Sequence, residues 1–460
     1  MAASIVSARL VDGNNVEIVP ASPGRPFCAP GVFLRDSCQC GACFHPTTLQ
    51  RLVDNVDPDV VPAAVDVAPG GESLSVTWAD GHVTTLEAGW FAAHVRGAFF
   101  PLRAAKAAAA TAPVPWAASW MAGHLDSELT FDFEEVCARS HATAEWVAAL
   151  RRYGLTRLRG APCRTGQVER LATAIHCPLR ATVYNEGGAP TFQVKAKPMA
   201  VNQAYTSAEL PLHTDLPFYR RPPEVQLLHC IVQDGDGGED GSEDASSSGA
   251  SVFADGLFAS LNLAASDRAM LEALPVVFED LDPPPPTTPV ATAEDARNAN
   301  GSAAAAAALA PRFHLEAAHP VLEPRPHGAV AVHLNNGVRA AIACLDPELP
   351  IAPAGATPAE AAAAEADALR CHYSAVASLR RALDKEAYSC RARPGDVWVF
   401  DNRRVLHGRR AVTAGADGAG ASAASEGAPP PLQRHLEGAY MEWDDLDSLQ
   451  RVLQAQPVPN

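Results

Sequence analysis

Short runs of alternating apolar and polar residues dominate the first hundred positions. Leu74–Trp78 and Val83–Leu86 flank Ala79-Asp80-Gly81 and predict a hairpin, because successive strand side chains face opposite ways across a tight turn. Ser4–Leu10 and Asn15–Val19 predict two more strands around an Asp-Gly turn. Residues 1–100 are therefore expected to form a small β unit, with Ala- and Pro-rich residues 101–120 as a linker and residues 121–460 as the main body. There the pattern predicts a helix over Ala142–Tyr153 and a strand over Leu155–Leu158. Further apolar runs at Val225–Val232, Ala329–Leu334 and Asp396–Phe400 read as buried strands. Strands this short, separated by loops, predict a mainly β fold with flanking helices, of the sandwich or jelly-roll kind.

Four stretches interrupt the pattern: 234–251 (acidic, Gly/Ser), 282–310 (Pro, then Ala), 352–366 (Ala) and 414–431 (Gly/Ala/Ser/Pro). Such compositions bury too little apolar surface to order themselves, so they are expected to be looped inserts, with a partial helix as the alternative for Ala352–Ala366.

Composition narrows the function classes. At 47% hydrophobic, 460 residues can build a sizeable core. A formal charge of −17 argues against nucleic acid or an anionic membrane as partner, since both call for a basic patch. The N-terminus, MAASIVSARLVDGNN, lacks the basic and apolar regions of a signal peptide, and no apolar run approaches the roughly 18 residues of a membrane helix. The 11 cysteines, an odd number, then suit a reducing compartment, expected to be the cytoplasm, where clustered thiols bind metal. Cys38, Cys40 and Cys43 form such a cluster and leave a tetrahedral zinc site one ligand short, with His45 a local candidate; Cys28 reads as a core residue.

His213-Thr214-Asp215 is the most informative segment. On a strand, residues i and i+2 share a face, so an imidazole and a carboxylate are expected side by side. A second imidazole is offered far downstream by His407, expected at the far end of the strand that starts after Pro394-Gly395-Asp396. Two His and one carboxylate leave one face of a metal open, as in non-haem Fe(II) oxygenases. Alone, His-x-Asp is a weak signal in a chain with 15 histidines.

Together with Asp401-Asn402-Arg403-Arg404-Val405-Leu406-His407-Gly408-Arg409, however, the chain resembles the taurine dioxygenase-like superfamily, and within it the branch of γ-butyrobetaine and trimethyllysine dioxygenases, over Phe33–Asp445. The resemblance implies a double-stranded β-helix (jelly-roll) catalytic domain behind a small N-terminal zinc-binding β domain. It implies Fe(II) held by His213, Asp215 and His407, and 2-oxoglutarate as co-substrate with O2. Arg434 matches the arginine that clamps the distal carboxylate of 2-oxoglutarate, its distance from His407 stretched by the 414–431 insert. Arg409 and Arg410 are nearer alternatives, expected to pair with local carboxylates instead.

For the substrate, the family holds a trimethylammonium group in an aromatic cage. Tyr205 and Tyr440 match two of its walls. Phe192 stands where γ-butyrobetaine dioxygenases have Trp, and Gly188 where they have Tyr, with Tyr184 a possible replacement. Asn202 and Asn335 match positions that hydrogen-bond the substrate carboxylate, whereas His229 reads as a buried strand histidine. The same resemblance makes His82 the fourth ligand of a structural zinc, suggests a homodimer, and admits ascorbate as an accessory reductant. The tail Arg434–Asp444 is most like the butyrobetaine branch, so hydroxylation of γ-butyrobetaine to L-carnitine is the expected reaction. Trimethyllysine 3-hydroxylation is the nearest alternative. An oxygenase of another ammonium or sulfonate compound comes next, and last an inactive binding protein of the same fold.

Overall fold

The computed structural model describes residues 3–22, 24–54, 56–95, 112–185, 189–195, 208–233, 248–281, 313–342, 355–411 and 434–455. It divides into two compact units, Met1–Thr111 and Ala112–Asn460.

In the first unit, strands β1 (Ile5–Val11), β2 (Asn15–Pro20) and β3 (Phe27–Pro30) form one antiparallel sheet, followed by the short helix α1 (Gly31–Asp36). A second sheet comprises β4 (Pro62–Val67), β5 (Ser73–Trp78) and β6 (Val83–Glu87), with α2 (Ala88–His94) behind it. Alternation places Val16, Ile18, Leu74, Val76 and Trp78 in a common core. The predicted β5–β6 hairpin is present; the Trp78 amide donates to the His82 carbonyl at 2.9 Å, and Gly81 takes a φ of +82° that few side chains tolerate. Cys28 is exposed on β3 rather than in the core.

The second unit opens with α3 (Ala118–Glu128), β7 (Thr130–Asp132), α4 (Phe133–Cys137), α5 (His141–Tyr153) and β8 (Leu155–Arg159). Next come α6 (Gln167–Ile175), β9 (Phe192–Lys195), β10 (Leu210–His213), β11 (Val225–Gln233), β12 (Ser251–Asp255), α7 (Gly256–Leu261) and α8 (Ala265–Ala273). Then follow β13 (Pro275–Leu281), β14 (His314–Pro320), β15 (Leu322–Pro324), β16 (Val330–Val332), β17 (Arg339–Ile342) and the long α9 (Pro358–Lys385). The chain closes with β18 (Tyr388–Cys390), β19 (Val397–Asp401), β20 (Val405–Arg409), β21 (Arg434–Met441) and α10 (Trp443–Ala455).

Two sheets carry the chemistry. The larger has the order β7-β8-β19-β11-β21-β9 and is antiparallel except at β7-β8; the smaller, β10-β20-β12-β18, is antiparallel throughout. Along β11 and β19 the faces divide by residue parity. Val225, Leu227, Val397 and Val399 pack against α5, α6 and α10, whereas Gln226 and Leu228 face a cavity between the sheets. Buried on both sides, β19 reads as a nearly continuous apolar run, whereas the equally buried β20 carries His407 and Arg409. Helix α5 packs through Thr143, Trp146, Val147 and Leu150, the i, i+3, i+4, i+7 stripe; Ser140 caps its start and left-handed Gly154 its end.

Three expectations need correction. The strand starting after Asp396 ends at Asp401; the chain then turns, and His407 sits in the middle of β20, in the other sheet. The polar Asn402-Arg403-Arg404 stretch makes that turn, anchored by buried Asn402 and Arg404. The Ala-rich 352–366 stretch is helical from Pro358, because Thr357 and Glu360 form a capping box ahead of a strongly helix-forming sequence. Residues 112–117 of the expected linker pack within the second unit, with Trp116 buried there, and Ala118 begins α3. The inserts at 282–310 and 414–431 lie outside the described residues, as does most of 234–251, although Ser251 already belongs to β12.

Candidate active site and metal centres

The pairing of β10 with β20 builds the site. His213 lies directly opposite His407 in the ladder, so both imidazoles leave the same face, with ring centroids 4.3 Å apart. This close pairing depends on Gly408, where a Cβ would come within 2.6 Å of the Leu210 carbonyl oxygen. Asp215 lies just past the end of β10 rather than on it. Its carboxylate nevertheless turns back to the imidazoles, with Oδ1 3.2 Å from His213 Nε2 and Oδ2 3.9 Å from His407 Nε2. One ligand atom from each residue lies within 4.8 Å of the others, close enough to share one ion.

Surrounding groups fix these side chains. His213 Nδ1 faces the Pro211 carbonyl oxygen at 2.8 Å, which favours the tautomer with the Nε2 lone pair free for a metal. Asp215 Oδ2 accepts from Gln226 Nε2 at 2.7 Å and from the Tyr440 hydroxyl at 2.8 Å, leaving Oδ1 toward His213. Buried Asn402 accepts from the Asp215 amide and donates to the Asp215 and Pro223 carbonyls, pinning the backbone behind the carboxylate. Burial pushes the Asp215 carboxyl up, but His407, His213 and Tyr440 outweigh it and hold the group well below the usual carboxylate range. Burial and the neighbouring His213 push His407 down to about 3. An anionic carboxylate beside a neutral imidazole is the donor chemistry that a divalent ion requires.

The cavity containing the triad is also lined by Phe192, Ser251, Arg409 and Arg434. Burial and the charge of Arg409 lower Arg434 to about 10, placing two guanidinium groups at one cavity. Arg410 does pair with a local carboxylate, Glu209, at 3.2 Å; Arg409 donates to the Ala208 carbonyl and lines the cavity. Phe192 stacks on Tyr440 with centroids 5.4 Å apart, and lies so close over Gly438 that a Cβ there would meet its ring at 2.1 Å. Tyr440 is buried, with its hydroxyl committed to Asp215. Tyr184 lies elsewhere, its hydroxyl bonded to Asp280. Asn335 donates to the Thr214 carbonyl at 3.2 Å and lines a different cavity. Asn202, Tyr205 and Gly188 lie outside the described residues. His229 is fully buried in β11 and faces no metal donor group. Sequence reading missed Gln226, Asn402 and the position of Arg409. A glutamine inside an otherwise apolar strand was the available signal for Gln226.

In the first unit a second donor group assembles. His82 Nε2, at the hairpin tip, is 3.2, 3.9 and 3.8 Å from the sulfurs of Cys38, Cys40 and Cys43. Three sulfurs and one imidazole could close a tetrahedral site with no open position. His45 is not in this group; its Nδ1 accepts from the Thr47 and Thr48 amides. A third group, Glu279, His314 and Glu316, lies at the surface of the β13–β14 ladder and resembles ordinary surface pairing. Among the described residues no helix is long and apolar enough to cross a membrane.

Comparison with known proteins adds to this geometry. The model of the taurine catabolism dioxygenase TauD, TfdA family matches residues 117–440, and that of the γ-butyrobetaine hydroxylase-like N-terminal domain matches residues 14–88. γ-Butyrobetaine dioxygenase of Homo sapiens is 27% identical, with 100% of both chains covered. The enzyme of the same name from Pseudomonas sp. (strain AK-1) is 29% identical over 94% of this chain and 92% of its own. Mitochondrial trimethyllysine dioxygenase of Rattus norvegicus is 23% identical over 92% and 82%.

Proposed function

The chain belongs to the TauD, TfdA dioxygenase family, and from that premise we propose that it hydroxylates γ-butyrobetaine to L-carnitine with Fe(II), 2-oxoglutarate and O2. The observation that carries this reading is the convergence of His213, Asp215 and His407 on one point, in a cavity that also holds two guanidinium groups. The two facing sheets of the second unit are read as the halves of a jelly roll.

The donor set fits a ferrous ion: two imidazole nitrogens and one anionic oxygen, all from one side. When bound, such an ion with 2-oxoglutarate supplies oxidation, one atom of O2 entering a substrate C–H bond while the 2-oxo acid leaves as succinate and CO2. The chain's own residues orient and protect. Gln226 and Tyr440 fix the carboxylate ligand, and Arg434, with Arg409 beside it, holds the distal carboxylate of the co-substrate in a water-poor cavity. Phe192 offers an apolar aromatic face to a trimethylammonium group, a contact worth roughly 0.5–2 kcal/mol. Asn202 and Tyr205 complete the proposed substrate contacts, whereas Asn335, bonded to Thr214 and lining another cavity, is left out of them. In the first unit, Cys38, Cys40, Cys43 and His82 would hold a structural zinc, and a cytoplasmic homodimer completes the reading.

Trimethyllysine is the second reading, favoured only by the relatives at lower identity. Succinate release decides between them. We expect γ-butyrobetaine to stimulate it well above the substrate-free rate, and trimethyllysine to do so weakly. Stimulation by trimethyllysine alone would remove the assignment.

A further inference from the structure

A second cavity, of about 250 Å³, lies in the catalytic unit between α9 and the strands β13 and β17. Its walls include Val276, Phe278 and Val376, and among the polar side chains that line it are Arg339, Arg380 and His372. His372 is only 1% exposed, and its Nδ1 is buried without a hydrogen-bond partner among the described residues. Neither arginine forms an ion pair among the described residues. Arg339 reaches Asn336 and the Tyr373 hydroxyl, both neutral. Buried polar groups almost always have partners. Two cations and an imidazole gathered around an apolar hollow therefore describe an incomplete site whose missing component is an anion. Burial and then the charge of Arg339 lower His372; burial lowers Arg380 as well, with Asp384 opposing and Arg339 adding to it.

We propose that this cavity binds a small organic carboxylate with an apolar body. The apolar walls argue against a bare phosphate, which needs a polar cradle. Size fits as well: a dry cavity of ~150 Å³ accepts benzene, so this one has room for about ten non-hydrogen atoms. The inference does not rest on the substrate assignment, because none of these three residues borders the triad's cavity. The two are linked all the same. Leu334 and Asn335, which line this cavity, hydrogen-bond to Thr214 between two of the triad residues.

The test is calorimetric titration of the full-length chain with hexanoate. One equivalent should bind. Arg380→Gln and Arg339→Gln should each weaken binding at least tenfold, and hexanamide, with the same body but no charge, should bind at least tenfold more weakly. Arg434→Gln, which alters the other cavity, should leave hexanoate binding intact. Failure of hexanoate to bind at millimolar concentration, equal binding of hexanamide, or loss of binding in Arg434→Gln but not in Arg380→Gln would each overturn the proposal. All of these outcomes are independent of whether γ-butyrobetaine is turned over.

Discussion

At the scale of single residues, the proposed iron site is defined as much by what holds the ligands as by the ligands. Tyr440 shows this most clearly. Resemblance casts it as a wall for the substrate cation, yet its hydroxyl is one of two donors to Asp215 Oδ2. Tyr440→Phe keeps the ring and removes that donor. Groups that orient metal ligands typically contribute 10–100-fold to affinity, so the variant should lose that much affinity for Co(II) in a direct titration. Unchanged metal affinity with a raised KM for γ-butyrobetaine would restrict Tyr440 to the cage. His229 yields a different kind of prediction. It is fully buried, both ring nitrogens are unpartnered among the described residues, and burial, with His435 nearby, pushes it down to about 4. Since the unfolded chain takes up this proton near pH 6.5, the group's contribution to stability is complete above that pH. It is lost as pH falls toward 4. His229→Leu should therefore flatten the dependence of stability on pH between 6.5 and 4 by up to about one proton, or ~1.4 kcal/mol per pH unit. An unchanged slope in denaturant titrations would mean that His229 has no part in acid unfolding.

At the scale of elements, strand register accounts for most of what the sequence made legible. His213 and His407 meet because β10 and β20 pair at those residues. Helix α5 was readable from its apolar stripe and its caps, and the β5–β6 hairpin from its Asp-Gly turn. Less legible was which sheet a strand joins. The polar Asn402-Arg403-Arg404 stretch marks a turn inside Val397–Arg409, but nothing local says that the strand after it joins the other sheet, because both strands are almost wholly buried. The N-terminal unit raises the matching question for metal. There the proposed zinc ties the Cys38–Cys43 loop to the β5–β6 hairpin, supplementing a small core. Cys40→Ser should lower zinc content below one per chain and lower the melting temperature, while turnover per folded chain persists. Normal stability with lost turnover would contradict a structural role.

At the scale of the whole molecule, the local patterns predicted the strand runs but not their order in the sheets. That order depends on non-local pairings, such as β11 between β19 and β21, which no short window of sequence specifies. The site was recognisable because its ligands fall in two compact motifs, whereas Gln226 and Arg409 acquire meaning only once the sheets face each other across the cavity. The account as a whole depends on a ferrous ion at the point where the pairing of β10 with β20 brings three side chains together. Incubation with γ-butyrobetaine and 2-oxoglutarate under oxygen-18 gas, followed by mass spectrometry, tests it most directly. We expect hydroxylated product and succinate in equal amounts, each carrying one heavy oxygen atom, and neither from His407→Ala. Heavy product persisting in His407→Ala, or product whose oxygen comes from water in the wild type, would contradict the account.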